Sequence, residues 1–244
     1  MRKRLAVSLR VALVVLAAAG FADHAAACAD RAVVSTDTQT SSLAVELREG
    51  TLGARTAPRL NAPLVRRFGP RTPEGVTRVF RVLGALGRPD CSALWYHVEL
   101  PVRPNGATGW VRASGLYAYR VPYRLRIERR LHRLSIYLSG KLIEQLAIAV
   151  GTAQTPTPLG EYYVFERLSV AIASGPYGPG ALGLSAFSPV LTGWTRGGPI
   201  AIHGTRDPTS IGHDASNGCV RVANRPMKRL LRQIPAGTPV QIVD

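Results

Sequence analysis

The chain has 244 residues, of which 46% are hydrophobic, and a formal net charge of +16 at pH 7. This length is enough for one large domain or two smaller ones, and the hydrophobic content excludes a wholly disordered chain. The positive charge predicts affinity for an anionic partner, and charge alone does not distinguish nucleic acid from a cell envelope.

The first 27 residues have the three parts of an export signal. Residues 1–4 are basic, residues 11–22 are largely apolar, and residues 25–27 are the small residues after which signal peptidases cut. We therefore predict a removable signal over residues 1–27 and a monomer exported to the periplasm or cell-wall space. The anionic envelope, rather than nucleic acid, is then the predicted partner. A retained membrane anchor and a lipoprotein modified at Cys28 stay open as alternatives.

The chain contains three cysteines, which is an odd number for an exported protein. One disulfide plus one thiol kept free for chemistry is a natural division. Cys28 and Cys91 would form the disulfide, and Cys219 would be the free thiol. The alternative, in which neither Cys28 nor Cys91 is bridged, stays open because sequence does not show geometry.

Residues 45–120 are predicted to form short strands separated by glycine and proline turns. Residues 95–100 alternate in the manner of a half-buried strand, residues 104–106 read Pro-Asn-Gly, and residues 109–111 read Gly-Trp-Val. A tryptophan-bearing strand, a polar turn and a Gly-Trp-Val strand resemble the end of a bacterial SH3-like barrel. The resemblance implies a small SH3-like domain at residues 45–120, preceded by a linker at residues 28–44.

The second block begins at residue 122. Residues 134–138 and 146–150 alternate like a hairpin around Gly140, and residues 161–165 form a further strand. The next stretch, about thirty residues rich in Gly, Ser and Pro, predicts a long loop beside a binding cleft. Apolar residues at helical spacing near the C terminus predict one helix, with Asn224 as its cap and Gly237 as its stop, followed by a closing strand.

Two short segments carry residues suited to catalysis. His203 ends the apolar strand at residues 200–202, and residues 216–221 read Ser-Asn-Gly-Cys-Val-Arg. Gly218 lets a backbone amide approach a substrate carbonyl beside Cys219 without a side chain in the way. Because a thiolate attacks and a thiol scarcely does, a nearby imidazole is needed to remove the proton. These residues alone favour a buried structural cysteine, and a nucleophilic Cys219 with His203 as its base is the alternative.

These segments, in this order, resemble the L,D-transpeptidase family with its YkuD-type catalytic domain. The matching segments are His-Gly-Thr at 203–205, Ile-Gly at 211–212, residues 216–221, and Thr-Pro-Thr-Pro-Leu-Gly at 155–160. Several motifs together are far more specific than one. The resemblance covers residues 122–244 and implies a β-sandwich catalytic domain with a short C-terminal helix, which makes the whole chain mainly β.

The resemblance also implies a reaction and a set of roles. Cys219 would attack a peptidoglycan stem peptide, with His203 as general base, and the acyl group would pass to a second stem to make a cross-link. The remaining site residues would be Gly204, Gly218, Ser216 and Asn217 for the oxyanion hole or orientation, and Arg221 and Thr205 for substrate binding. No metal or organic cofactor is implied, and carbapenem β-lactams are expected to acylate the same thiol.

One position departs from the family pattern. The family usually has histidine where this chain has Asn217, and asparagine can donate a hydrogen bond but cannot carry a proton. His213, in the same loop, could take that place or be solvated. Two alternative functions stay open: a wall carboxypeptidase or endopeptidase that uses the same residues, and a non-catalytic wall-binding protein.

Overall fold

The computed structural model describes residues 33–35, 37–87, 92–170, 174–194 and 197–244. The segment 1–27, Cys28 and Cys91 lie outside these residues, so the signal, lipoprotein and disulfide assignments stay predictions. The described chain is mainly β with a single α-helix, which confirms the predicted fold class. No helix in this described part is long and apolar enough to cross a membrane.

The N-terminal half forms one antiparallel sheet with the order β4-β3-β7-β6-β5-β2-β8, and β1 pairs with β5. Its strands are β1 Val33–Ser35, β2 Ser42–Leu47, β3 Leu52–Arg55, β4 Leu64–Phe68, β5 Arg78–Gly87, β6 Ala93–Glu99, β7 Thr108–Arg112 and β8 Leu116–Val121. The sheet takes in residues 33–35 and 42–44 of the predicted linker, because β1 pairs with β5 and because Ser42 and Ala44 are buried between neighbouring strands. The SH3-like assignment stays a prediction.

The C-terminal half contains nine strands and the helix. They are β9 Tyr123–Glu128, β10 Arg133–Leu138, β11 Lys141–Gly151, β12 Gly160–Ser169, β13 Gly180–Phe187, β14 Pro199–His203, β15 Asp214–Ser216, β16 Val220–Val222, α1 Asn224–Gln233 and β17 Pro239–Val243. The long strands β11 and β12 each belong to two layers: β11 pairs with β10 and then β16, and β12 pairs with β17 and then β13. The result is a sandwich around one apolar core.

Strand β13 corrects the predicted long loop. The stretch that was expected to be irregular contains eight residues of strand, because Leu182 and Leu184 are fully buried between β12 and β14. The small residues of this strand reflect close packing. A Cβ on Gly183 would lie 2.6 Å from Cγ of Glu166 on β12. The described residues on either side of β13, 174–179 and 188–194, form no strand or helix.

The helix forms where predicted, but its start differs. Asn224 is the first helical residue, Ala223 is at the cap position, and no side chain caps the helix. The Asn224 side chain instead accepts a hydrogen bond from the N–H of Thr205 at 2.8 Å. The predicted cap role of Asn224 is therefore wrong, because its amide oxygen is used to hold the loop that follows His203.

The two halves share a buried polar interface. The Tyr163 hydroxyl donates to a backbone carbonyl of β5 at 3.2 Å, and the Ser185 hydroxyl donates to Glu99 at 2.5 Å. Arg81 lies 3.6 Å from Glu99 and also pairs with Asp37 at 2.5 Å. Burial raises the pKa of Glu99 to about 7 even with these partners. The sheet of the N-terminal half therefore packs directly against strands β12 and β13 of the C-terminal half.

Candidate active site

Cys219 lies in a short elbow between β15 and β16. Gly218 has φ of +109°, a conformation that favours glycine, and a Cβ there would lie 3.0 Å from Ile200. The Ser216 hydroxyl accepts from the Gly218 N–H at 3.1 Å and donates to the Cys219 carbonyl at 2.5 Å. These two bonds hold the backbone on both sides of the thiol.

The Thr-Pro-Thr-Pro segment supports this elbow from below. The Thr157 hydroxyl is fully buried, accepts from the Gly151 N–H at 2.9 Å and donates to the Gly218 carbonyl at 2.8 Å. Thr155 donates its hydroxyl to the Ser216 carbonyl at 3.1 Å. The motif predicts the family but not this supporting role of its threonines, because the motif and the Cys219 elbow are about sixty residues apart in the sequence.

His203 is the last residue of β14, and Cys219 immediately precedes β16, the parallel strand beside it. In the register of β14 and β16, His203 is opposite Arg221. Side chains two residues apart share a face of a strand, so Cys219 lies on the same face as Arg221 and His203. All three line one cavity of about 270 Å³. The structure thus brings the two predicted catalytic residues into one site.

The orientation of the His203 ring follows from its contacts. Its Nδ1 lies 2.5 Å from the carbonyl oxygen of Gly204, and because a carbonyl only accepts, Nδ1 carries the hydrogen. Nε2 is then the basic nitrogen. The ring of Tyr177 lies edge-on to the imidazole, with the centroids 5.1 Å apart. A Cβ on Gly204 would be 2.5 Å from Pro179, so glycine is required at this close approach.

Burial sets the protonation of the pair. It lowers the pKa of His203; the hydrogen bond to Gly204 opposes this, and the charge of Arg221 adds to it. Burial also raises the pKa of the Cys219 thiol, against a backbone hydrogen bond from Ala201 and the charge of Arg221. Near neutral pH the pair is therefore a thiol beside a neutral imidazole, and the thiol needs a base.

The walls of the cavity come from the segments that flank β13. Its other lining residues are Pro176, Tyr177, Ser188, Leu191, Trp194, Gly198, Pro199, Ser216 and Asn217. Tyr177 and Trp194 are each 53% exposed, which is unusual for large aromatic side chains. The sequence predicted that this region borders a cleft, but it did not identify these two residues; aromatics within a Gly- and Pro-rich stretch were the available signal.

Two other predicted residues lie elsewhere. Thr205 is buried and exchanges hydrogen bonds with the backbone of Asp207, at 3.0 and 3.2 Å, and it does not line the cavity. His213 is exposed and also lies outside the cavity lining. The structure therefore gives Thr205 a role in holding its own loop. Within the described residues, no cluster of three or more His, Cys, Asp or Glu side chains could hold a metal ion.

Comparison with known proteins identifies the catalytic half. Residues 122–242 match the family model of the YkuD L,D-transpeptidase catalytic domain. YkuD of Bacillus subtilis, provisionally named an L,D-transpeptidase, is 33% identical over 124 residues, which are 51% of this chain and 68% of that protein. YqjB of the same organism, also provisionally named so, is 32% identical over 133 residues, 50% of this chain and 72% of its own length.

Among solved structures, an L,D-transpeptidase from Mycobacterium smegmatis is 14% identical, with a TM-score of 0.41. The match covers 62% of this chain and 90% of that one. On the strength of the family model and the Bacillus relatives, the chain belongs to the L,D-transpeptidase family.

Proposed function

We propose that the protein is a peptidoglycan L,D-transpeptidase that cross-links stem peptides through an acyl-enzyme on Cys219, with His203 as general base. The family acts on peptidoglycan stem peptides. One observation carries the proposal: the Nδ1 contact with Gly204 leaves Nε2 as the basic nitrogen of a ring that lines the same cavity as the thiol.

The first half-reaction forms the acyl-enzyme. Cys219 Sγ attacks the carbonyl carbon of the peptide bond before the terminal D-alanine, and its proton passes to His203 Nε2. The tetrahedral intermediate collapses, the C–N bond breaks, and the leaving amine of D-alanine takes the proton from the imidazolium. A thioester and free D-alanine result.

The second half-reaction transfers the acyl group. The amine of an acceptor stem attacks the thioester and gives a proton to His203, and the sulfur leaves as a thiolate that takes this proton back. The same residues run both steps, since the base of one step is the acid of the next. If water replaces the amine, the result is hydrolysis.

Charge on the intermediate needs hydrogen-bond donors. The Gly218 N–H is used within the elbow, by Ser216, so we assign this role to the Cys219 N–H and to the Asn217 side-chain amide, which lines the cavity. The Arg221 guanidinium lines the same cavity and suits bidentate binding of a substrate carboxylate. Neither role requires Asn217 to accept or release a proton during the reaction.

The site of action is also part of the proposal. Export through residues 1–27 would place the protein at the wall, and the net charge of +13 that remains without Arg2, Lys3, Arg4, Arg10 and Asp23 (16 − 4 + 1) would favour the anionic envelope. N-terminal sequencing of the secreted protein tests this directly: an intact Met1 on protein recovered outside the cytoplasm would contradict signal removal.

Intact-protein mass spectrometry after exposure to a carbapenem tests the nucleophile. We expect one adduct on the wild type and none on Cys219→Ala, with both proteins melting at similar temperatures. An adduct that persists in Cys219→Ala, or none on the wild type, would contradict the proposal. Incubation with defined muropeptides then separates the reactions, because dimers indicate cross-linking and shortened monomers alone indicate hydrolysis.

A further inference from the structure

One wall of the catalytic cavity is held from the other half of the molecule. We define the wall loop as residues 188–194 together with Gly197 and Gly198; it contributes Ser188, Leu191, Trp194 and Gly198 to the cavity. Its two ends meet where the Ser188 N–H donates to the Gly198 carbonyl at 2.8 Å. Any residue that moves these ends also moves the wall.

Arg103, in the turn between β6 and β7, contacts both ends of this loop. Its Nη2 donates to the carbonyls of Ser188 and Gly197, each at 2.6 Å, and its Nε donates to the Gly197 carbonyl at 3.2 Å. The guanidinium also lies over the ring of Phe187, 5.4 Å from its centroid. A planar fork is suited to bridging two acceptors in this way.

Asn105, two residues further on, holds the adjoining end of β13. Its side-chain amide donates to the Phe187 carbonyl, and its Oδ1 accepts from the Phe187 N–H, both at 2.9 Å. Phe187 is paired in register with Pro199, whose carbonyl oxygen lies 4.0 Å from the sulfur of Cys219. The turn therefore anchors the backbone that borders the nucleophile.

The turn has a firm support of its own. The Leu100 N–H donates to the Ala107 carbonyl at 2.8 Å, which closes the turn, and the Leu100 side chain is buried in the core of the N-terminal half. Nearby, Glu99 accepts from Ser185 of β13. A contact from this turn is thus backed by a packed sheet rather than by a free loop.

We propose that Arg103 and Asn105 are positioning residues for the transpeptidase reaction: they hold the wall loop and the end of β13 so that the stem peptide is bound in line with Cys219. This proposal rests on the proposed function and assigns the N-terminal half a part in it. Both side chains are exposed, so their truncation leaves both apolar cores intact.

The test compares Arg103→Ala with Arg103→Lys, Asn105→Ala and the control Arg112→Ala. Arg112 is an exposed arginine of the same half, and it lies over Trp95 in its own sheet. We expect Arg103→Ala to lower kcat/KM for stem peptides and the rate of carbapenem adduct formation by about 10- to 100-fold, as small misplacements do. Lysine, a point charge, restores part of the rate, and Arg112→Ala leaves it unchanged.

A second readout does not depend on activity. Trp194 belongs to the wall loop, so its fluorescence emission reports the surroundings of this loop. The contribution of Trp194 is the part of the tryptophan fluorescence that is absent in Trp194→Phe. We expect Arg103→Ala to shift that emission and to leave the pH at which His203 titrates unchanged. If Arg103→Ala lowers the melting temperature but changes neither the rate of adduct formation nor the Trp194 emission, its role is purely structural and the proposal is overturned.

The two readouts separate the possible failures. If the wild type forms the adduct and Arg103→Ala forms it equally fast, the positioning role is wrong and the proposed function stands. If the wild type forms no adduct, the proposed function fails, and the emission of Trp194 still decides whether Arg103 holds the loop. Unchanged emission in both Arg103→Ala and Asn105→Ala overturns the inference in either case.

Discussion

The two halves of the molecule contribute to the catalytic cavity in different ways. The C-terminal half supplies His203 at the end of β14 and Cys219 just before the adjacent strand β16, and the two residues are close together in the sequence. Among the described residues of the N-terminal half, none lines that cavity, but the turn between β6 and β7 contacts the ends of the wall loop across more than eighty residues of chain. Chemistry is therefore encoded locally in this protein, whereas the shape of the cavity depends on distant contacts.

The electrostatics of the halves differ as well. In the cavity that His203 and Cys219 line, burial lowers the pKa of the imidazole and raises the pKa of the thiol, which favours the neutral form of both. At the interface, burial acts on Glu99, which has Arg81 and Ser185 as partners and takes no part in the reaction. A change of pH should thus alter the rate through the cavity, and at the interface it should alter the free energy of unfolding through Glu99.

The largest expected effect concerns the base. His203→Ala should lower carbapenem acylation and stem-peptide turnover by about 10²- to 10⁴-fold, because the thiol loses its proton acceptor. His213→Ala is the matched control, since His213 is exposed and outside the cavity, and its rate should equal that of the wild type. Single-turnover adduct formation measures both. Undiminished acylation in His203→Ala would remove the assignment.

The next effect concerns stability. Because the pKa of folded Glu99 is about 7 and its ordinary value is 4.5, the folded state retains a proton that the unfolded state loses. This group therefore lowers the free energy of unfolding as pH rises from 4.5 to 7, by roughly 2 to 3 kcal/mol in all. Glu99→Gln should lack that loss.

Denaturant unfolding at pH 5 and pH 8 checks this expectation. The free energy of unfolding should differ less between pH 5 and pH 8 in Glu99→Gln than in the wild type. Glu49→Gln, which changes an exposed carboxylate in the same half, should behave like the wild type. An equal pH dependence in the wild type and Glu99→Gln would show that the interface carboxyl does not titrate as described.

A smaller effect concerns the pH profile of acylation. The charge of Arg221 lowers the pKa of both His203 and Cys219, so Arg221→Gln should raise both. In the wild type the acid limb, where His203 becomes protonated, should lie below the ordinary histidine value of 6.5. In Arg221→Gln it should move to higher pH. Adduct rates from pH 5 to 9 measure this, with exposed Arg206→Gln as the control. An unmoved limb would argue against Arg221 as the cause.

The smallest effect is expected at Asn217. Asn217 is exposed, so its hydrogen bond to the intermediate replaces one to water, and Asn217→Ala should reduce the acylation rate by about tenfold at most. Asn217→His should stay within the same range, because the proposed mechanism passes no proton through this position. A loss well above a hundredfold in Asn217→Ala would mean that this side chain has a larger part in the chemistry.

Several elements could be predicted because their signals are local. The hairpin of β10 and β11, the strand that ends at His203 and the terminal helix follow from periodicity and turn residues. Strand β13 could not be predicted, because a strand buried on both faces between close neighbours uses glycine and serine, which are also typical of loops. The cap prediction for Asn224 is wrong because the side-chain oxygen that could cap the helix can equally accept a hydrogen bond from a distant backbone N–H, here that of Thr205.

For the site, the family motifs and their order in the chain predict Cys219 as nucleophile and His203 as base, and these roles stay a prediction. The basic nitrogen of the imidazole, the support of the elbow by Thr157, and the contacts of Arg103 with the wall loop depend on which atoms meet. A hydrogen bond requires its two atoms to lie about 3 Å apart, and the separation of two residues in the sequence does not tell whether their atoms come that close. Only folding brings these partners together.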